Sequence, residues 1–278
     1  MSALRSPGQR LWVAHARRIR RTRSVILGYH GITHAPIRHD LSMLLVRPQR
    51  FRAQIELLLA AGFKFVTVAE LARLAHGGEP PAGYAAVSFD DGMRNNHAIA
   101  LPILSSYGIA ATVYVTIGFI DGESPWIGAA SDRSMLSEEE IRELADAGWE
   151  LGAHTMTHPD LSQLDYESAR REIHDSKTAL EAIAGVPVET FAYPFGRYNQ
   201  TAVAAVADSG LAAAVATGRG GWSAYELRRV MIGAADPMAI VALKLADRYE
   251  PLLQMPPIDL LRRWSKAART RMHERRRP

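Results

Sequence analysis

The chain has no cysteine. Disulfides and thiolate metal sites are therefore excluded, and any bound metal must be held by His, Asp or Glu. No apolar run is long enough to cross a bilayer. The N-terminus does not read as a secretory signal, because Leu11 to Ala14 is too short for the hydrophobic segment of one. Internal repeats and low-complexity stretches are also missing. These absences place the expected protein in the cytoplasm or peripherally at the inner membrane face.

Acid is absent from residues 1–23, which hold seven arginines, and nearly absent from 262–278, where eight Lys/Arg face one Glu. The net charge of +4 thus hides basic ends on an acidic middle. Basic arms suit an anionic membrane surface or nucleic acid. The acidic middle argues against nucleic acid as the main partner. Leu11, Trp12, His15 and Ile19 fit one side of an interfacial helix, and Leu260, Leu261 and Trp264 fit another. The plainer reading is a pair of solvated tails.

What is present supports one large domain: 278 residues, 47% of them hydrophobic. Short apolar segments at 25–30, 63–68, 84–89, 111–116, 149–153, 188–193, 211–216 and 227–232 read as strands. Helical patterns lie between them at 48–62, 69–76, 96–107, 137–148, 166–185 and 201–210, with another at 237–249. This alternation means a parallel sheet. No dinucleotide-type glycine fingerprint follows the first strand, which favours a closed or nearly closed barrel over a doubly wound sheet. The expected division is a basic arm at 1–23, a catalytic barrel at 24–235, and a C-terminal helix with basic tail at 236–278. The segment 118–134 has three glycines, a proline and Trp126 without clear period. Loops that long are usually functional or mobile.

The polar residues cluster where strands end. Val87-Ser88-Phe89-Asp90-Asp91-Gly92 closes a strand with two acids and a glycine. Successive strand residues point to opposite faces, so both acids reach one site only where the strand breaks. A solvated turn into the next helix is the alternative. His154 and His158 stand four apart, a spacing that suits one metal on a helical turn or a tight loop. His30 and His34 share it, so the spacing alone is weak. Asp91 with the two histidines makes a His₂Asp set that leaves positions open for water and substrate. Zinc or another first-row divalent ion fits it.

Together, Ser88 to Gly92, Gly148 to Gly152, His154-Thr155-Met156-Thr157-His158 and Phe191-Ala192-Tyr193-Pro194-Phe195-Gly196 resemble the polysaccharide deacetylases of the carbohydrate esterase family 4 type. These share the chitooligosaccharide-deacetylase homology domain. The resemblance covers roughly residues 24–235, and Tyr29-His30 is similar to the exopolysaccharide N-deacetylase branch. It implies a distorted (β/α)7 barrel that hydrolyses acetyl groups, mostly N-acetyl, from a saccharide or lipid-linked glycan. Asp91, His154 and His158 would hold the metal, with zinc as the expected ion. Asp90 would be the general base and the Phe195 N–H an oxyanion donor.

The chain also departs from the family. Ala192 stands where the best-known members place an arginine beside the catalytic Asp. Leu227-Arg228-Arg229 stands where they carry a Leu-x-His with the acid histidine. Of their Asp-Trp motif only Trp222 is a candidate. We therefore expect Arg229 to enter from the last strand and pair with Asp90. The leaving amine's proton would come from His30 or from a reprotonated Asp90, and His30 has substrate contact as its alternative role. Two other functions remain open: a hydrolase of a small cyclic amide or ureide, and a non-catalytic carbohydrate-binding barrel.

Overall fold

The structure is a computed structural model that describes residues 7–35, 44–76, 78–126, 133–218 and 221–249. Seven parallel strands form its centre: β1 (Val25–Tyr29), β2 (Tyr84–Phe89), β3 (Thr112–Val115), β4 (Glu150–Ala153), β5 (Thr190–Ala192), β6 (Ala213–Thr217) and β7 (Leu227–Met231). Each pairs with the next, and β1 closes the ring by pairing with both β7 and β2. The expected (β/α)7 barrel is the observed fold.

Side-chain alternation divides the core in two. Ile26, Ala86, Tyr114, Ala192, Ala213, Val215 and Leu227, from six different strands, form one cluster inside the barrel. Leu27, Val87, Val113, Leu151, Phe191 and Ala214 belong to the larger layer beneath the helices. Gly152 leaves room inside, since a Cβ there would stand 2.4 Å from the Tyr114 ring. Strands this short bury both faces and so lack a polar row, except where the barrel interior needs one.

Two segments differ from the sequence reading. Only Lys64–Phe65 of the strand expected at 63–68 is a strand, paired to the first residues of β2 outside the ring. The capping box of Thr67 with Glu70 starts α3 (Val68–Ala75) early and cuts that strand short. The helix expected at 96–107 begins as a π-helical turn, Asn96–Ala100, and continues as a short α-helix, Leu101–Ser105. Pro102 has no N–H to offer the regular ladder. The preceding Leu101 amide bonds instead to Asn96, five residues back.

The basic N-terminal segment is also more ordered than an arm. Residues 7–20 form helix α1 (Pro7–Arg20), which buries Val13, Ala16 and Ile19 in the core beneath the helices, with Trp12 packed against it. Leu11, expected on the apolar face, is 64% exposed. At the other end, α8 (Met238–Leu245) buries Val241 and Leu245 in the same core. Asp247, just beyond it, pairs with Arg23 before β1 and, at 2.6 Å, with Arg228 on β7. Leu260, Leu261, Trp264 and the basic run 262–278 lie outside the described residues.

One half-buried acid lies well away from the strand C-termini. The Glu150 carboxylate accepts hydrogen bonds from Ala69 N and Thr112 Oγ1, both at 2.8 Å, and from Thr190 Oγ1. Burial nevertheless pushes its carboxyl above the usual value. A raised folded pKa means that the stabilising contribution is complete below the ordinary carboxylate range and is lost as pH rises through the raised value. Glu150→Gln should therefore unfold at a midpoint about 2–4 °C higher at pH 7–8, the equivalent of ~1 kcal/mol, with little change near pH 4. A thermal midpoint lowered equally at every pH would overturn this account.

Candidate active site

The strand C-termini deliver the polar residues to one mouth of the barrel. The Asp90 N–H still bonds to Tyr29 O at 2.9 Å, so Asp90 continues the β2 ladder and keeps the inward direction of Ser88. Asp91 then adopts φ +75° and Gly92 φ +79°. This left-handed pair is the break that two neighbouring carboxylates need to face one site. Positive φ is uncommon for non-glycine residues and costs roughly 1–3 kcal/mol each. At this mouth it recurs at Thr155, His158 and Phe195.

The two histidines lie on a tight loop. His154 directly follows β4, bonding through its N–H to Val115 O at 3.1 Å. Glu172, on α6 (Tyr166–Ala184), accepts from the amides of Met156 and Thr157 at 2.8 and 2.9 Å and from Thr157 Oγ1 at 2.7 Å. His158 N donates to Thr155 Oγ1 at 3.0 Å. The loop is thus built from its own threonine and a distant carboxylate, and it turns both rings toward Asp91.

His154 Nε2 and His158 Nε2 each stand 3.5 Å from Asp91 Oδ1. Asp91, His154 and His158 are all buried. His154 Nδ1 lies 2.7 Å from the Ala192 carbonyl. That partner is only an acceptor, so the proton sits on Nδ1 and the Nε2 lone pair faces Asp91. Acceptor thus meets acceptor in a dry place, an arrangement that calls for a cation. The spacing fits one: ligands about 2.1 Å from a single tetrahedral ion stand about 3.4 Å apart. The donor set suits zinc or a similar divalent ion.

Beside this set lies a second charge pair. Arg229 Nη1 and Nη2 donate to Asp90 Oδ1 and Oδ2 at 2.5 and 2.7 Å. Nη1 also reaches Ser88 Oγ at 3.2 Å, and the guanidinium lies 5.5 Å from the centre of the Tyr114 ring. The Arg229 side chain is fully buried. Burial alone would raise the Asp90 carboxyl, but the charge and hydrogen bonds of Arg229 outweigh it and hold Asp90 below the usual range. At Asp91 burial likewise acts upward, and the two imidazoles beside it outweigh it and hold the carboxyl well below the usual range.

Both groups open into a cavity of about 380 Å³, which His30, Leu44, Trp126, Phe195, Thr217 and Met231 also line. His30 is thus in the site, whereas His34 does not line this cavity. The Phe195 backbone sits in the turn Pro194–Gly196 with φ +58°. Its N–H takes no part in the turn's own bonds, which run from Gly196 N to Tyr193 O and from Arg197 N to Pro194 O. Gly196 admits no side chain, because a Cβ would lie 1.6 Å from Thr217 Oγ1.

Three features were missed by the sequence reading. Glu172 and Ser88 act by supporting others, and no spacing marks them. The third is the site tryptophan. Trp222, the expected candidate, packs against the barrel-interior cluster and lines a different cavity with Arg23 and Leu245. Trp126, from the long aperiodic loop, stands at the histidines instead. Trp222 leads into β7, so the chain path carries it to the barrel's other end.

A closed parallel barrel with a His₂Asp set and a buried acid at its C-terminal mouth defines a hydrolase-type site. The sequence profile for "Polysaccharide deacetylase" matches residues 77–214. The Bacillus subtilis protein YxkH, named as a polysaccharide deacetylase, is 30% identical over 74% of this chain and 70% of its own length. A Staphylococcus epidermidis poly-β-1,6-N-acetyl-D-glucosamine N-deacetylase is 25% identical over 68% of this chain and 70% of its own. The structure of the Streptococcus pyogenes deacetylase PplD in complex with acetate superposes with a TM-score of 0.69 at 26% identity, covering 81% of this chain and 98% of that one. The chain belongs to the polysaccharide deacetylase family.

The ion pair makes a stability prediction. Asp90, held below its ordinary value, contributes stability that is present above the usual carboxylate range and is lost as pH falls through the lowered pKa. Arg229→Met leaves a buried unpaired carboxylate and should cost about 3–5 kcal/mol in denaturant unfolding at pH 7. Adding Asp90→Asn to that variant should recover most of the loss. A double variant no more stable than Arg229→Met alone would show that the guanidinium acts through packing.

Proposed function

We propose that this protein is a metal-dependent hydrolase that removes N-acetyl groups from a saccharide or lipid-linked glycan. The observation that carries the reading is the convergence of three ligand atoms, one each from His154, His158 and Asp91, beside the Asp90–Arg229 pair at one cavity. A divalent ion held by those donors, zinc by their chemistry, would polarise the amide carbonyl and make a water nucleophilic at neutral pH.

Asp90 is the general base in this reading. Arg229 keeps it ionised and fixes both carboxylate oxygens, so one must be shared with the water whose proton it takes. As the water oxygen bonds to the carbonyl carbon, negative charge gathers on the carbonyl oxygen, and the Phe195 N–H stabilises it. The C–N bond then breaks, releasing acetate and an amine. Arginine cannot supply the amine's proton at ordinary pH. His30 takes that role, with the proton now on Asp90 as the other source. The N-acetyl choice is supported by the substrate in the name of the Staphylococcus epidermidis relative.

Acetate release from a panel of N-acetylated glycans and lipid-linked sugars tests this. Activity should need an added divalent metal, vanish with chelator, and fall about 10²–10⁴-fold in Asp90→Asn. Glycan binding without acetate release would favour the carbohydrate-binding barrel, and turnover of cyclic amides alone would favour the ureide reading.

The basic ends suggest where the substrate is met. The outward side of α1 presents Arg10, Arg17, Arg18 and the exposed Leu11, with Arg21 directly after it, and no acid lies on this helix. We propose that this side, with the C-terminal basic run, docks on an anionic membrane surface. No described helix is long and apolar enough to cross a membrane. Sedimentation should show binding to vesicles containing phosphatidylserine or phosphatidylglycerol, falling as salt rises. Equal binding to neutral vesicles would refute it.

A further inference from the structure

The proposed reaction leaves the Trp126 indole, a lining group of the cavity, without a task. Its Nε1–H donates to Asp91 Oδ2 at 2.7 Å. Its ring lies nearly parallel to His158, with centres 4.2 Å apart at 20°. The edge-on contact with Phe119, at 5.1 Å and 88°, fixes it further. Below it the loop is pinned at its neck, where Ser124 N bonds to Arg133 O at 2.8 Å and Asp121 N to Leu136 O at 3.0 Å.

We propose that Trp126 is a positioning residue for the metal ligands, resting on the reading of Asp91, His154 and His158 as a metal site. A carboxylate has two equivalent oxygens and turns freely about one bond. With Oδ2 bound to the indole, Oδ1 alone is left to face the two histidine nitrogens. The indole N–H suits this because it only donates. It can neither ligate the ion nor accept the proton that Asp90 takes. The stacked face holds the His158 ring, whose Nδ1 has no hydrogen-bond partner among the described residues. His154 is oriented by the Ala192 carbonyl. His158 has no such carbonyl, and the indole plane takes its place.

The two contributions separate by substitution. Trp126→Phe keeps a ring against His158 and removes the N–H, and Trp126→Leu removes both. Zn²⁺ affinity, measured by competition with a chromophoric chelator, should fall about 10–100-fold in Trp126→Phe, the usual effect of losing a group that orients a ligand. It should fall further in Trp126→Leu. The metal-free unfolding midpoint of Trp126→Phe should stay within about 2 °C of wild type, since the position is not in the main core. The absorption spectrum of the Co²⁺-loaded protein should change with the carboxylate's mode of binding. Zn²⁺ affinity unchanged in Trp126→Phe but lost in Trp126→Leu would overturn the role of the N–H while the metal site stands. A wild-type protein that binds no Zn²⁺ would remove the metal site and this role together.

Discussion

A carboxylate out of reach of water needs a positive charge beside it, and at Asp90 that charge comes from β7. The Arg229 guanidinium crosses the barrel interior to bind both Asp90 oxygens. Much of the surrounding structure accommodates it. Ser88 takes a third N–H, Tyr114 offers its ring face, and Ala192 is small where a longer side chain would meet the same space. The pair places a guanidinium inside the ring of strands, which is stable only while every strand supplies its inward residue. Replacing such a pair with apolar groups is often neutral or stabilising. Its presence is therefore not explained by stability alone.

The same constraint explains why the arginine could move. What Asp90 requires is a guanidinium within hydrogen-bonding distance, and a barrel offers that distance from more than one strand. Position 192 serves the site through its backbone instead, the Ala192 carbonyl accepting from His154 Nδ1. The inward row of β7 lies across β1 from Asp90, through the Gly28–Met231 and Gly28–Ser88 pairings. Gly28, without a side chain, keeps that line open: a Cβ there would lie 2.3 Å from Met231 Sδ and 3.7 Å from Arg229 Cβ. Neither residue alone suggests the relation. The absence at 192 and the surplus at 229 suggest it together.

This marks how far the sequence is legible. The barrel and its C-terminal mouth follow from the alternation of strand and helix patterns and from where acids and histidines fall, because periodicity and strand ends are written locally in the chain. The His154 and His158 pair is visible as a spacing, but the loop that makes it useful is not. Glu172 sits 14 residues beyond His158 at a half-buried position of a charged helix, where a glutamate is ordinary. Trp126 is hidden for another reason. An aperiodic loop carries no information on where its side chains go, so a tryptophan in it looks no different from Trp222. The docking of α1 was equally hidden. Arginines dominate its composition, while three small or branched residues, Val13, Ala16 and Ile19, determine its position.

The two acids that begin as neighbours in sequence end with opposite surroundings. Asp90 keeps the strand direction and meets a guanidinium fixed from across the barrel. Asp91 leaves it through a left-handed residue and meets two imidazoles and an indole. Their surroundings are separate, a guanidinium at Asp90 and, in the proposed reading, a metal ion at Asp91, which lessens the mutual repulsion that would protonate one of a close pair. That separation is the physical basis for giving them different work. An acid whose oxygens are both held by a fixed cation can accept and return a proton without moving. An acid with one oxygen tied to a pure donor is left to hold a cation with the other.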